Sequence, residues 1–293
     1  VTNSESYNIL VQNLENDNNN ALSFTNNNQL KGFTTYPLPE VWNEGAISTW
    51  VKINNTNFDG DGTFIFNGYT GGTDYIALGV HTGVVDGANS NNFRFGFYDG
   101  GWNFATSTVQ PVVGEWYHIV GTWSDQGIKI YINGVEEGQN SYSNQNPTPD
   151  GYVLGGVYGA SMICDIADFG IWNTALSESD IQNYMLCQLI GTEDGLHSYW
   201  DFEETDGAVV YDQTSTGNNL NNGASDDYPE IIIADLNLSC ELCSDTDEIT
   251  VIFSPEGCTD ELACNYDSNA ICDDESCEYI EVVNLGEDVT TCD

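Results

Sequence analysis

Two aspartates in the segment N-F-D-G-D-G, Asp59 and Asp61, stand one residue apart with glycine on either side. A D-x-D-G pattern can wrap Ca²⁺, a hard cation that takes about six to eight oxygen ligands. The other ligands of a twelve-residue loop do not follow, so a Gly-rich turn is the competing reading. Farther on, Asp260, Asp267, Asp273 and Asp274 are interleaved with cysteines, where they serve either as further calcium ligands or as solvated carboxylates. Acid and base chemistry finds little footing. Hydrolysis of a glycosidic bond needs two carboxyl groups flanking that bond, and Asp201, Glu203 and Glu204 come nearest without the spacing. Neither a G-x-S-x-G elbow nor an H-E-x-x-H helix occurs, and His118 sits inside a strand pattern, where a structural histidine is expected. These observations argue against an enzyme. Seven tryptophans and sixteen tyrosines supply flat apolar faces, which stack on sugar rings as readily as they fill a core. Trp102, preceded by Gly100 and Gly101 and close to Tyr98, is the candidate ligand platform.

The elements that must position these groups read as strands. In Gly45 to Ile53, Ile47, Thr49 and Val51 alternate with Ser48, Trp50 and Lys52, the period of a half-buried strand. Further strands are predicted over Ala21–Phe24, Thr63–Tyr69, Tyr75–His81, Phe93–Tyr98, Trp102–Thr108, Glu115–Trp123, Gly127–Asn133, Tyr152–Val157 and Asp165–Trp172. Ile128, Ile130 and Ile132 share one face, and Asn133-Gly134 supplies a turn. Ser177 and Asp180 are spaced as a capping box that opens one short helix. Short strands divided by Gly, Asn and Asp turns predict an all-β fold, a two-sheet antiparallel jelly-roll sandwich.

Charge and cysteines bound the setting. Lys31, Lys52, Arg94 and Lys129 face 46 acidic residues, for a net charge of -42; such a surface repels nucleic acid and anionic membranes. With no apolar run near 18 residues, membrane insertion is not expected. Nine cysteines without zinc-type Cys/His pairing point to disulfides and to an extracellular, secreted protein. Cys164 and Cys187 are expected to pair, tying the last strand to the end of the helix. A chain that opens on Val1 and carries no leader is expected to be a processed or excised piece.

Several segments resemble a known family. A-I-S-T-W-V-K (Ala46–Lys52), G-E-W-Y-H-I-V-G-T-W (Gly114–Trp123) with G-I-K-I-Y-I-N-G (Gly127–Gly134), and the run through Ile166, Phe169, Ile171, Trp172, Asn173, Leu176 and Ser177 resemble laminin-G-like and pentraxin-like (concanavalin A-like) jelly rolls. Leu196–Ala224 resembles a segment found beside them. In that family the aspartate of D-Y-I-A-L, here Asp74, is a calcium ligand, and the resemblance implies a second ligand in the loop before Tyr152, Asn146 or Asp150. The acidic cluster of pentraxins is replaced here by Gly155, Gly156, Val157 and Tyr158, so their double calcium site is not implied. Jelly-roll glycosidases carry E-x-D-x-x-E on one strand, which is missing.

Gly257–Tyr279 resembles a cysteine repeat of very large secreted surface proteins of marine Bacteroidetes, with Cys258, Cys264, Cys272 and Cys277 forming two bridges of open connectivity and Glu275 standing where the repeat has glycine. Val282–Asp293 resembles the start of an immunoglobulin-like repeat, which implies that Cys292 pairs in further domains of the same polypeptide beyond Asp293. The expected organisation is a lead-in (1–20), a jelly roll (21–228), a linker with Cys240 and Cys243 (229–256), the cysteine repeat (257–279) and the immunoglobulin-like start (280–293). The resemblance implies a non-catalytic adhesin module that binds glycan or a surface protein with calcium. A carbohydrate-binding accessory domain of a polysaccharide-degrading enzyme and a spacer or fibre subunit without ligand are the alternatives.

Overall fold

The computed structural model describes residues 19–25, 30–33, 42–55, 63–70, 73–81, 91–143, 151–157, 160–161, 163–204, 209–221, 229–236, 256–270 and 272–279. The chain divides into two compact units, Glu15–Leu242 and Cys243–Asp293 with Val1–Leu14. In the larger unit the strands are β1 (Asn20–Phe24), β2 (Leu30–Phe33), β3 (Gly45–Ile53), β4 (Thr63–Thr70), β5 (Thr73–His81), β6 (Asn92–Tyr98) and β7 (Trp102–Thr106). Next come β8 (Trp116–Ser124), β9 (Gly127–Ile132), β10 (Val135–Asn140), β11 (Gly151–Leu154), β12 (Gly156–Val157), β13 (Ala160–Ser161) and β14 (Cys164–Trp172). The helix α1 (Glu178–Tyr184) precedes β15 (Leu196–Trp200), β16 (Val209–Val210), β17 (Leu220–Asn221) and β18 (Glu230–Ile233).

Two eight-stranded sheets result. The first runs β10-β9-β8-β3-β14-β1-β18, with β15 also on β14; the second runs β16-β17-β2-β11-β4-β5-β6-β7. Nearly all pairings are to strands distant in sequence or across hairpins, and those in the two sheets are antiparallel, as a jelly roll requires. Period-two alternation puts Ile47 and Val51 of β3, Phe93, Phe95 and Phe97 of β6, and Ile128, Ile130 and Ile132 of β9 into one core between the sheets. Packing there is tight. A Cβ on Gly121 would sit 2.1 Å from the Phe95 ring, and one on Gly45 would sit 2.4 Å from Trp123.

The outer face of the first sheet is covered rather than exposed. Ala46, Val120, Tyr131 and Trp172 of that face pack with Leu176 and Ile181, so α1 forms a third layer. The helix starts as the capping box predicts: Asp180 N donates to Ser177 Oγ, and Ser177 N donates to Asp180 Oδ2. The Asn133-Gly134 turn has φ of 51° and 79°, the left-handed pair that a two-residue hairpin needs. Several boundaries move by one or two residues, and the expected Tyr152–Val157 strand is split at Gly155, which has φ +84°; two of the shifts have a clear local cause. β7 stops at Thr106, two residues short of the expected end, because Ser107 is buried and its N–H bonds Phe93 O while its Oγ bonds Val109 O. β8 begins at Trp116, since Glu115 N turns back to Val112 O.

In the smaller unit β19 (Glu256–Gly257) pairs in parallel with β20 (Cys272–Asp273), and Cys258 bonds Cys277. Its aspartates cap turns: Asp260, Asp267, Asp273 and Asp274 each accept the backbone N–H two residues on. Glu275 adopts φ 63°, the left-handed backbone that the repeat's glycine would adopt without strain.

Candidate functional site

The β6–β7 hairpin builds a ridge of aromatic rings on the second sheet. Because Phe93, Phe95 and Phe97 point into the core, Arg94, Gly96 and Tyr98 occupy the opposite face. Across the ladder Tyr98 pairs with Trp102, Gly96 with Phe104 and Arg94 with Thr106. Trp102 lies at the centre: its ring stacks on Phe104 at 4.7 Å and 10°, meets Tyr98 edge-on at 5.5 Å, and is 5.7 Å from Phe64 of β4. Trp102, Phe104 and Phe64 are half-buried and Tyr98 is 37% exposed. Gly96 is needed under this ridge, since a Cβ there would lie 2.1 Å from Asn103 O and 2.8 Å from the Phe104 side chain. At the tip, Gly100 has φ +65° with open space around it, and Tyr142 Oη donates to Asp99 Oδ2 at 3.1 Å.

Beside the ridge the residues of this face are buried. Asn67, Ala77, Gly96 and Phe104 form one cross-strand row through β4, β5, β6 and β7. Asn67 is fully buried, and neither its Nδ2 nor its Oδ1 has a hydrogen-bond partner. Arg94 is 2% exposed, with its guanidinium 6.0 Å from the Phe104 ring centroid. The ridge can stack a flat apolar ring, whereas Asn67, Ala77 and Arg94 are buried and present almost no surface to a ligand. The two residues expected as a platform, Tyr98 and Trp102, are thus direct cross-strand neighbours. The sequence does not single out Phe104 and Phe64, although Phe104 follows Trp102 at the strand period that puts both rings on one face.

Of the expected calcium ligands only the backbone of Asp74 is described. Asp74 belongs to β5, in register with Tyr69, but its side chain, and all of Asn146, Asp150, Asp59 and Asp61, lie outside the described residues. Among the described residues no three His, Cys, Asp or Glu side chains are grouped to hold a metal.

A second polar site lies between the first sheet and α1. There a cavity of about 20 Å³ is lined by Ser48, His118, Asp168, Trp172, Tyr184 and Cys187, among others; it has room for a water molecule but not for a sugar. Asp168 adopts φ 48° where the β14–β3 register shifts, between Ala167 and Gly170, and accepts a hydrogen bond from Tyr199 Oη. Burial pushes its carboxyl up to about 7, with Asp201 and Glu203 adding to the rise. Burial drives His118 the other way, down to about 3, so its ring is neutral. Its Nδ1 has no partner. The expectation of a structural histidine with its hydrogen bonds satisfied therefore fails at that nitrogen.

Four further acidic residues, Asp201, Glu203, Glu204 and Asp212, brace loops. Glu203 accepts from Asn20 N and Nδ2 at 3.1 and 3.0 Å, Glu204 from Tyr211 N, and Asp201 from Gln213 Nε2; burial raises all three carboxyls. Asp212 is the hub of the D-Q-T-S-T-G-N loop, accepting from the backbone N–H of Tyr199, Thr214 and Asn218 and from the hydroxyls of Thr214 and Thr216.

One expected disulfide is not formed. Cys164 is a free, buried thiol in the inter-sheet core, while Cys187 is disulfide-bonded elsewhere. The physical reason is the pleat: Cys164 shares the inward face of β14 with Ile166, whereas Cys187 lines the cavity on the outer side of that sheet. In the smaller unit Cys264 is disulfide-bonded in addition to the Cys258–Cys277 pair.

Two antiparallel eight-stranded sheets facing across one core, with a helix over the back of one, define a concanavalin A-like jelly roll. The chain belongs to the concanavalin A-like lectin/glucanases superfamily in its laminin-G-like branch, whose family model matches residues 16–182, more than half of the chain. Among solved structures it is similar to a protein from Bacteroides ovatus whose proposed role is carbohydrate binding, with a TM-score of 0.60 at 17% identity over 76% of this chain. The chain spans 62% of that protein's length. Weaker likenesses include a heptameric SAP-like pentraxin from Limulus polyphemus (TM-score 0.43, 18% identity, 57% of this chain and 81% of that one). Domain 4 of an extracellular GH43 arabinanase from Geobacillus stearothermophilus, bound to arabinotriose, is another (TM-score 0.40, 19% identity, 48% and 66%). Scores at that level carry no argument about this chain. No functionally curated protein matches it. Among the described residues no helix is long and apolar enough to cross a membrane.

Proposed function

We propose that this chain is a non-catalytic, extracellular ligand-binding module that engages glycans through the Tyr98–Trp102–Phe104–Phe64 ridge. The observation that carries this reading is the ridge itself: four rings brought together on one sheet face, outside the core, with Tyr98 37% exposed. Aromatic faces left at a surface stack on the C–H faces of sugars, and membership of a lectin-containing superfamily supports the same assignment. Catalysis is not part of the reading. The carboxylates that come closest to a pair, Asp201, Glu203 and Glu204, are committed to loop N–H and amide donors. The module would act in a secreted surface adhesin, with the cysteine-rich segment 257–279 and an immunoglobulin-like start at 280–293 linking it to further domains. Calcium at Asp74 would shape the rim of the sandwich.

Retention of the protein on immobilised polysaccharides, compared with Trp102→Ala, tests the ridge; an unchanged variant would remove it from the site. Calorimetric titration with calcium, with melts in calcium and in chelator on the parent and Asp74→Ala, tests the rim. A saturable site that raises the melting temperature and is lost in the variant is the expected result. No binding and no stabilisation would leave the calcium assignment without support and favour a spacer over an adhesin.

A further inference from the structure

Resting on the glycan reading of the ridge, we infer that its ligand is an uncharged glycan and that uronate- and sulfate-bearing polysaccharides are excluded. Without a bound metal ion, an acidic polysaccharide is held through guanidinium or ammonium groups aimed at its carboxylates or sulfates; a calcium ion at Asp74 would be a separate route, which a chelator removes. This chain has four such groups in 293 residues. Lys52 is bonded to Asp165 at 2.7 Å and Lys129 to Glu136 at 2.7 Å, both on the first sheet. Lys31 belongs to β2, five strands from β7 in the second sheet, or roughly 24 Å at the usual strand spacing of about 4.8 Å.

Only Arg94 lies near the ridge. It is 2% exposed, beneath the Phe104 ring, where it can strengthen the ring's hold on the sheet but offers almost no surface to a ligand. The nearest described charge at the hairpin tip is a carboxylate, Asp99. A net charge of -42 adds long-range repulsion of any polyanion. What the face does offer is neutral: the rings of Tyr98, Trp102, Phe104 and Phe64. Those groups suit the C–H faces of sugars.

The experiment is affinity electrophoresis and calorimetry of the full chain in chelator, at low salt and at about 0.15 M salt. The ligands are uncharged polysaccharides (β-glucan, mannan, arabinan) and anionic ones (alginate, carrageenan). The variants are Trp102→Ala and Tyr98→Ala, each checked for an unchanged near-UV spectrum; Tyr98 is the more exposed ring and guards against a folding failure at Trp102. The expected result is binding to at least one uncharged polysaccharide, tenfold or more weaker in the variants and indifferent to salt, with none to alginate or carrageenan. Binding to an anionic polysaccharide that is lost in the variants would overturn the charge inference and leave the glycan reading standing. Retention of neither class would overturn both, and neutral binding that ignores both variants would move the site away from the ridge.

Discussion

Asp168→Asn should make the jelly roll more stable at alkaline pH while changing it little in acid. Asparagine is nearly isosteric, tolerates the left-handed φ of 48°, and can accept the Tyr199 hydroxyl through Oδ1. The substitution therefore removes a titration and little else. The Asp168 carboxyl rises from 3.8 to about 7 on folding. Between those values the unfolded chain has released its proton and the folded chain still holds it, so the contribution of Asp168 to stability falls as pH rises through that window. Each tenfold change in proton affinity is worth about 1.4 kcal/mol, so a rise of this size corresponds to roughly 4 kcal/mol, or on the order of 10 °C in melting temperature for a domain of this size. His118 opposes it. Its pKa falls to about 3, so its neutral ring stabilises the fold above pH 6.5, and that contribution is lost as pH falls toward 3. The pH profile of the parent alone is consequently a sum of opposing slopes. The diagnostic is the difference in unfolding free energy between Asp168→Asn and the parent, measured by denaturant titration from about pH 4 to 8, the span over which the two states differ in bound protons. It should swing in favour of the variant by several kcal/mol as pH rises. A difference that is constant across that range would refute the claim that Asp168 holds its proton well above the usual carboxylate range.

Other outcomes follow from packing and covalent state. Gly121→Ala would drive a methyl group into the Phe95 ring and should cost about 1–3 kcal/mol by overpacking, read as a drop in denaturation midpoint with an unchanged slope. Cys164 should resist alkylation in the native protein, because burial both hides it and pushes its pKa up; mass spectrometry should find it modified only after unfolding, and rapid native labelling would contradict its position in the core.

Much of the sandwich is legible in the sequence because strands buried on one face must alternate. Gly45–Ile53 and Gly127–Ile132 show that period in their apolar residues, and the structure pairs both with β8. The Ser177–Asp180 box and the Asn133-Gly134 turn are legible for a different reason, since each is a local arrangement that its own residues satisfy. β10, V-E-E-G-Q-N, is not legible. It is an edge strand whose hydrogen bonds come from β9 and whose side chains bury little, so no apolar period marks it. The expected Cys164–Cys187 pairing fails for a reason the sequence does contain: Cys164 and Ile166 are two apart in one strand, and that spacing sends the thiol into the core, away from the helix layer. The environment of Asp168 depends on a register shift against β3 and on Tyr199 from β15, which no local window contains. The ridge is half visible. Tyr98 and Trp102 flank a glycine turn, but only the ladder and the sheet order bring Phe104 and Phe64 alongside.

The first and last strands of the sandwich lie side by side. Asn20 is opposite Ile233 and Ser23 opposite Glu230, and beyond them Ala234 N bonds Asn19 O at 2.7 Å while Asn19 Nδ2 bonds Leu236 O. The polypeptide thus enters and leaves the jelly roll at one point, through two antiparallel strands. Tension applied along the chain would meet these bonds one after another, as in opening a zipper, and not all together as in shear. A sandwich pulled by its two ends in this way hangs beside the line of tension, and β18 would peel from β1 before the core between the two sheets bore any load.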